Sequence, residues 1–325
     1  MTMYDILIVG AGPTGLACAL AARETGLSHI VLDKGTLVNT IVGYPTMMTF
    51  FSTPERLELG SMPFTSPNVR PTRVEAIEYY RGVARKGELN LSLHNAVLDA
   101  APHPEGGFLV RAERGEYRAR RLVIATGYFD NTNRLNVPGE ELPKMSHYYR
   151  EAFGHYDQDV LVVGGRNSAV EAALDLYRHG ARVTMVHRRD QFGSGLKYWV
   201  RPDIDNRLAS GEITMFWHTE VEEVRPGSVL LRNNDDGTRR EIPNDFIYAL
   251  IGYRPDVRLL DACGVRYDPE TLIPEYDPAT FETNIPDLFI AGSVACGCKT
   301  WEIFIENGRE HAGIIVREIA GRVRR

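Results

Sequence analysis

Ile6-Leu7-Ile8-Val9-Gly10-Ala11-Gly12-Pro13-Thr14-Gly15 decides the fold: an apolar strand, then three glycines at the G-x-G-x-x-G spacing, then the apolar helical run Leu16 to Ala22. Glycine permits the tight turn and lets backbone N–H groups approach a pyrophosphate, while the helix N-terminus adds partial positive charge facing it. The same plan returns about half a chain later, where Val160-Leu161-Val162-Val163 runs into Gly164-Gly165-Arg166-Asn167-Ser168-Ala169. Arg166 stands in the place of the middle glycine. Each copy has the strand before it and the helix after it that give the motif its meaning. Two such loops predict two bound dinucleotides.

The residues after each loop separate the two ligands. His29-Ile30-Val31-Leu32 reads as a second strand ending in Asp33, near the position where a carboxylate accepts both hydroxyls of an adenosine ribose. That fits FAD or NAD without a 2′-phosphate. The equivalent strand of the second copy, Arg182-Val183-Thr184-Met185-Val186, ends in His187-Arg188-Arg189. Cations there grip a 2′-phosphate through charge-assisted hydrogen bonds worth about 1.5–3 kcal/mol each, so the second site is predicted to take NADP(H). The plainer alternative is an unliganded α/β turn at each loop, with the arginines a solvated strand end.

The chain has 325 residues, room for two domains with their own cores. Its formal net charge of −6 gives no general attraction to nucleic acid or anionic membrane, so the 187–189 cluster reads as a local ligand feature. The closing Arg322-Val323-Arg324-Arg325 reads as a solvated tail. Tyr4-Asp5 leads straight into a core strand, which argues against a secretory leader, and no apolar run approaches the length that spans a bilayer. The expected setting is cytoplasmic.

The two halves repeat one plan. In the first, short strands at Phe108 to Arg111 and Tyr117 to Arg121 precede the closing element Leu122 to Tyr128; in the second, Ser228 to Leu231 and Arg239 to Ile242 precede Phe246 to Tyr253. The predicted fold class is α/β, with two Rossmann-like, three-layer ββα dinucleotide-binding domains, the second inserted in the first. The expected divisions are 1–143 and 257–325 for the outer domain and 144–256 for the insert. Asp287 to Gly292 reads as another buried strand ending at glycine, and Trp301 to Ile319 as a long helix.

The order GAGPTG, ATG, GGRNSA, HRR, then IAG and a terminal helix resembles the small pyridine-nucleotide disulfide oxidoreductases of the thioredoxin-reductase type. Within that superfamily, Gly43-Tyr44-Pro45-Thr46, Phe50-Phe51-Ser52, Ala125-Thr126-Gly127-Tyr128, His147-Tyr148-Tyr149, Ile251-Gly252-Tyr253 and Ile303-Phe304-Ile305-Glu306-Asn307-Gly308 resemble the bacillithiol disulfide reductase family. The resemblance implies FAD held by Gly10, Gly12, Pro13, Thr14, Gly15, Asp33 and Lys34. Thr46, Val97, Ala125, Thr126, Gly127, Gly292, Ser293 and Ile303 complete that implied site. It implies NADPH held by Gly164, Gly165, Arg166, Asn167, Ser168, His187, Arg188, Arg189, Ile251 and Gly252. It further implies a homodimer and a relay in which hydride passes from NADPH to the flavin and electrons then reach a low-molecular-weight thiol disulfide or a redox protein. Two other readings stay open: a ferredoxin- or flavodoxin-type NADP reductase, and a flavin redox sensor without turnover.

Departures from the resemblance bear on mechanism. A thioredoxin reductase carries Cys-x-x-Cys just before the second loop, but the stretch His147 to Gln158 has no cysteine. Where the bacillithiol reductases have a cysteine in the first loop, this chain has Thr14, which cannot exchange electrons with a disulfide. Ser293 stands where the superfamily commonly places an aspartate for the flavin ribityl chain. Of the four cysteines, Cys18 and Cys263 read as packing thiols. Cys296 and Cys298 flank Gly297 between the last strand and the last helix, where a helix N-terminus would lower their pKa values. They are the candidate catalytic residues, either as a reducible disulfide or as one nucleophilic thiolate, against the plain reading of two loop cysteines. A zinc site is not expected, because no second Cys or His pair stands at ligand spacing beside Cys296 and Cys298. His147 and His311 are weighed as proton donors against an ordinary structural role.

Overall fold

Ile6, Leu7 and Ile8 are fully buried and Val9 nearly so, as a central parallel strand covered on both faces requires. A computed structural model describes residues 2–323. By its contacts the chain forms two units, Met1–Asn131 with Tyr253–Arg325, and Thr132–Gly252. The first division therefore falls at 131/132, where the sequence reading places it at 143/144. The reason is that the intervening segment is bonded into the second unit. Asn133 N–H donates to the Gly252 carbonyl at 3.0 Å, and Val224 N–H donates to the Pro138 carbonyl at 2.9 Å.

In the first unit the strands are β1 (Met3–Val9), β2 (His29–Leu32), β3 (Leu91–Ser92), β4 (Val97–Pro102), β5 (Phe108–Ala112) and β6 (Gly115–Ile124). The order is β3-β2-β1-β6-β5-β4, with strand Leu288–Ile290 also paired to β6. β6 is one continuous strand, whereas the sequence reading splits it at Arg121. One edge pairs parallel to β1; the other is shared, antiparallel to β5 over Gly115–Ala119 and parallel to Leu288–Ile290 over Leu122–Ile124. Side chains alternate between two layers: Ile6 and Ile8 pack with the helical layer containing Leu16, Leu20 and Ile315, while Leu7 and Val9 pack with Phe108 and Val110.

The expected helix from Trp301 is shorter at its start. Phe304 is extended, helix Ile305–Gly308 follows, and helix Glu310–Val323 begins after Arg309. Arg322 is not a solvated residue. Its guanidinium makes a bidentate pair with Glu282 at 2.6 Å, bonds Glu318 at 2.8 Å and Asp287 at 3.2 Å, and lies over the Phe289 ring. Arg324 and Arg325 lie outside the described residues.

In the second unit, β7 (Met145–Ser146), β8 (Asp159–Val163), β9 (Arg182–Val186), β10 (Thr214–Phe216) and β14 (Phe246–Ala249) form a parallel sheet of order β10-β9-β8-β14-β7. β11 (Thr219–Arg225), β12 (Ser228–Asn233) and β13 (Arg239–Pro243) form a separate antiparallel sheet. Val160 and Val162 face helix Asn167–Arg178 through Ala169, Ala173 and Leu176, whereas Leu161 and Val163 face Val221, Val229 and Leu231. Both units thus place a helical layer on one face of a parallel sheet and antiparallel strands on the other.

Candidate functional site

The parallel strands of each unit end in register, so the candidate residues gather at their carboxyl ends. Val9 aligns with Leu32 and Ile124, and Ile124 with Ile290; Val163 aligns with Val186 and Ala249. This edge is where open α/β sheets bind ligands. The two loops match bond for bond. Gly10 N–H donates to Leu32 and Gly164 N–H to Val186, at 2.8 and 3.0 Å, while Ala125 and Leu250 donate back to Val9 and Val163 at 2.8 and 2.9 Å. Gly10 and Gly164 have φ of +113° and +144°, and a Cβ would lie 2.4 and 2.6 Å from the carbonyl oxygens of Ala125 and Leu250. Only glycine fits this crossing.

Both loops present helix ends suited to an anion. Helix Pro13–Glu24 is capped by Gly12 and helix Asn167–Arg178 by Arg166; neither has a side-chain cap bond or an acid in its first turn. A Cβ on Gly12 would meet nothing within 4 Å, which leaves the room a pyrophosphate needs. Asp33 lies beside the first loop, its Oδ2 accepting from Ala11 N–H at 2.6 Å and its Oδ1 from Gly35 N–H at 2.7 Å. Burial raises its pKa while these N–H groups hold it down, and each oxygen retains a lone pair for a ribose hydroxyl. Lys34 pairs with Asp130 at 3.1 Å. Val97 opens β4, and Thr46 is half-buried past the short helix Asn39–Gly43.

Thr14 packs against Gly292 and Gly308, since a Cβ on either would come within 2.7 or 3.2 Å of its Oγ1. Ser293 follows Gly292, and its Oγ would lie 3.4 Å from a Cβ on Gly127. Ala125, Thr126 and Gly127 follow β6, and Ile303 precedes helix Ile305–Gly308. His311 is the member of this site whose role the sequence does not show. It is buried, stacks on Phe281 with ring centroids 4.1 Å apart, and accepts the Gly292 N–H on Nδ1 at 3.1 Å.

Burial pushes the His311 imidazole down to about 4, so it is neutral at pH 7 and is not a proton donor there. The unfolded chain binds a proton near pH 6.5 that the folded one refuses until about pH 4. Stability carried by the neutral ring is therefore complete above pH 6.5 and lost as pH falls toward 4, by about 3 kcal/mol. Urea midpoints measured between pH 7 and 4 should fall less steeply for His311→Gln than for the unsubstituted protein. Equal slopes would refute the assignment. His147, in the second unit, is buried beside Arg134 at 3.1 Å and Glu140 at 3.2 Å, and burial followed by Arg134 lowers its pKa.

In the second unit the Asn167 side chain is a brace: its Nδ2 donates to the Gly195 carbonyl at 3.0 Å and its Oδ1 accepts from Lys197 N–H at 2.9 Å. The His187 ring covers Gly165, where a Cβ would lie 2.6 Å from it. Burial lowers the His187 pKa, and Arg189 and Arg188 lower it further. Arg188, Arg189 and Ser168 are exposed, and among the described residues neither arginine is in an ion pair. Ile251 and Gly252 are fixed by Asn133, which bonds both their carbonyls.

All four cysteines are free. Burial pushes Cys18 and Cys263 up to about 12. The lowered pKa expected of Cys296 and Cys298 is not found: burial raises Cys296 to about 11 and raises Cys298, with Arg254 acting in the opposite sense on the latter. No helix starts at these residues, and desolvation decides the sign. Among the described residues no cluster of His, Cys, Asp or Glu is arranged to hold a metal, and no helix is long and apolar enough to cross a membrane.

Two dinucleotide cradles on one chain, one ending in an acid and the other in a basic cluster, define an oxidoreductase that uses two nucleotide cofactors. Residues 7–292 match the family described as pyridine nucleotide-disulphide oxidoreductase. The chain is 39% identical over 322 residues, 99% of each chain, to bacilliredoxin reductase Bdr of Bacillus subtilis. It matches the solved bacillithiol disulfide reductase Bdr of Bacillus cereus with a TM-score of 0.95 at 40% identity, covering 99% of this chain and 100% of that one. The Staphylococcus aureus enzyme gives 0.95 at 35%, covering 99% of both. The chain belongs to the pyridine nucleotide-disulphide oxidoreductase family and, within it, to the bacillithiol disulfide reductases. It is an enzyme of the flavoprotein disulfide reductase type, with FAD and NADPH as its cofactors.

Proposed function

We propose that this chain spends NADPH to reduce a low-molecular-weight thiol disulfide, with bacillithiol disulfide as the substrate, in the cytoplasm and as a homodimer. The observation that carries the reading is the chemical difference between two matching cradles: Asp33 at the end of β2 against Arg188 and Arg189 after β9. The names of the relatives support the substrate.

Held in these cradles, FAD and NADPH would supply the hydride chemistry and the two electrons that reduction of a disulfide consumes. The chain's residues place and screen these groups. The loop Gly10–Gly15 offers backbone N–H groups to the FAD pyrophosphate, and Asp33 takes the ribose hydroxyls. Ser293 supplies a neutral hydrogen bond to the ribityl chain, and His311 holds the Gly292 turn without adding charge. The loop Gly164–Ala169 receives the NADPH pyrophosphate, and Arg188 and Arg189 receive the 2′-phosphate.

Anaerobic addition of NADPH to the yellow protein should bleach the flavin within seconds, and bacillithiol disulfide should then restore the colour. A flavin that NADPH leaves oxidised refutes the reading. Recolouring by ferredoxin with no response to the disulfide replaces it with a ferredoxin-type reductase.

A further inference from the structure

We propose that Cys296 and Cys298 form the redox-active dithiol of this enzyme, Cys298 attacking the substrate disulfide and Cys296 resolving the mixed disulfide that results. The inference rests on the disulfide-reductase reading and assigns the sulfur chemistry to a site within it. Thr14 brings no sulfur to the first loop, while Cys18 and Cys263 are sealed in the core. The 296–298 turn is the remaining place for a thiol exchange.

The turn is built to a defined shape. Lys299 N–H donates to the Cys296 carbonyl at 3.0 Å, and Gly297 has φ +54° and ψ −131°, which is the first central position of a type II′ turn. Such a turn sets the Cα atoms of its first and third residues about 5.5 Å apart, inside the range a disulfide bridges. Residues 271–273 clamp it from outside. Cys298 N–H donates to the Thr271 carbonyl at 2.7 Å, and a Cβ on Gly297 would lie 2.2 Å from that oxygen. Tyr128 fastens the following residues by donating to the Thr300 carbonyl at 3.0 Å.

The two sulfurs differ in the way a relay requires. Cys296 is buried as the last residue of the short 3-10 turn Gly292–Cys296, its Sγ 3.1 Å from the Ser293 carbonyl and beside the Ile303 N–H. Cys298 is half-buried and has Arg254 as its neighbouring charge. Arg254 is exposed and, among the described residues, in no ion pair, so its guanidinium is available to an acidic substrate or to the Cys298 thiolate.

The exchange balances. The Cys298 thiolate attacks one sulfur of the disulfide, forming a mixed disulfide and releasing the first thiolate. Cys296 then displaces the second thiolate and closes the Cys296–Cys298 bond, and the two cysteine protons pass to the two products. NADPH, through FAD, supplies the two electrons that reopen the bond.

Both cysteines fall in one tryptic peptide, 267–299, which contains no other cysteine. Reduced, desalted holoenzyme given one equivalent of bacillithiol disulfide should yield this peptide two hydrogens lighter. Cys296→Ser should accumulate a bacillithiol adduct on residue 298, and Cys298→Ser should take up none. The double serine variant should keep its FAD and lose disulfide turnover by about a hundredfold or more. A wild-type peptide that stays dithiol, or a double variant that keeps its turnover, overturns this inference and leaves the functional reading standing. Wild-type holoenzyme unable to reduce bacillithiol disulfide overturns both.

Discussion

Replacing Arg188 and Arg189 together by alanine should lower kcat/KM for NADPH by at least about tenfold and leave NADH use unchanged, because each charge-assisted bond to the 2′-phosphate is worth about 1.5–3 kcal/mol. Both arginines follow the last residue of β9, are exposed, and have no acidic partner among the described residues. Their removal therefore takes nothing from the fold, and the melting temperature should hold. One further change should accompany the loss. Both cations lower the pKa of the His187 ring over Gly165, so that imidazole should titrate at higher pH in the variant. Steady-state kinetics with the two nucleotides, alongside NMR titration of His187, would check both effects. Equal losses for NADPH and NADH would make the cluster structural.

A matched pair of substitutions in the first loop should separate folding from flavin binding. Gly10→Ala puts a Cβ 2.4 Å from the Ala125 carbonyl oxygen and 2.8 Å from its carbon, at a φ of +113°. Both contacts are backbone at the centre of the sheet and neither can yield, so the substitution should cost about 3 kcal/mol or more and give a colourless, weakly folded protein. Gly12→Ala meets nothing within 4 Å, so the urea midpoint of the FAD-free protein should match that of the FAD-free unsubstituted chain. If the first loop is the FAD pyrophosphate cradle proposed above, this methyl group takes the space of the pyrophosphate, and FAD should still be lost. Absorbance near the flavin band and urea unfolding of the two variants would measure these outcomes. Full FAD content in Gly12→Ala would show that the first loop is not the pyrophosphate cradle.

The parts of the molecule legible in the sequence are those whose causes are local. Each strand-loop-helix signal lies within about a dozen residues, and so do Asp33 and the 187–189 cluster relative to their strands. What escapes is decided by partners distant in sequence. β6 reads as two elements because Leu288–Ile290, which pairs with its second half, comes from the far end of the chain. Arg322 reads as solvated because Glu282 and Asp287 lie 40 and 35 residues away. His311 carries no motif, and only the fold shows its ring accepting the Gly292 N–H. The cysteine pKa values reverse sign for the same reason: the sequence suggests a nearby helix end, while desolvation in the folded state pushes both thiols up.

The shared edge of β6 also governs how the polypeptide is made. When Leu122–Ile124 leaves the ribosome, the strand that will cover this edge is still some 160 residues from being translated, roughly 8–30 s at bacterial-scale rates. Throughout that interval an apolar sheet margin stays open to mispairing with other nascent chains. The whole of 132–252 must emerge before the first unit can seal itself. Slowing translation beyond Gly252 should therefore raise the insoluble fraction more than an equal pause placed before Met3.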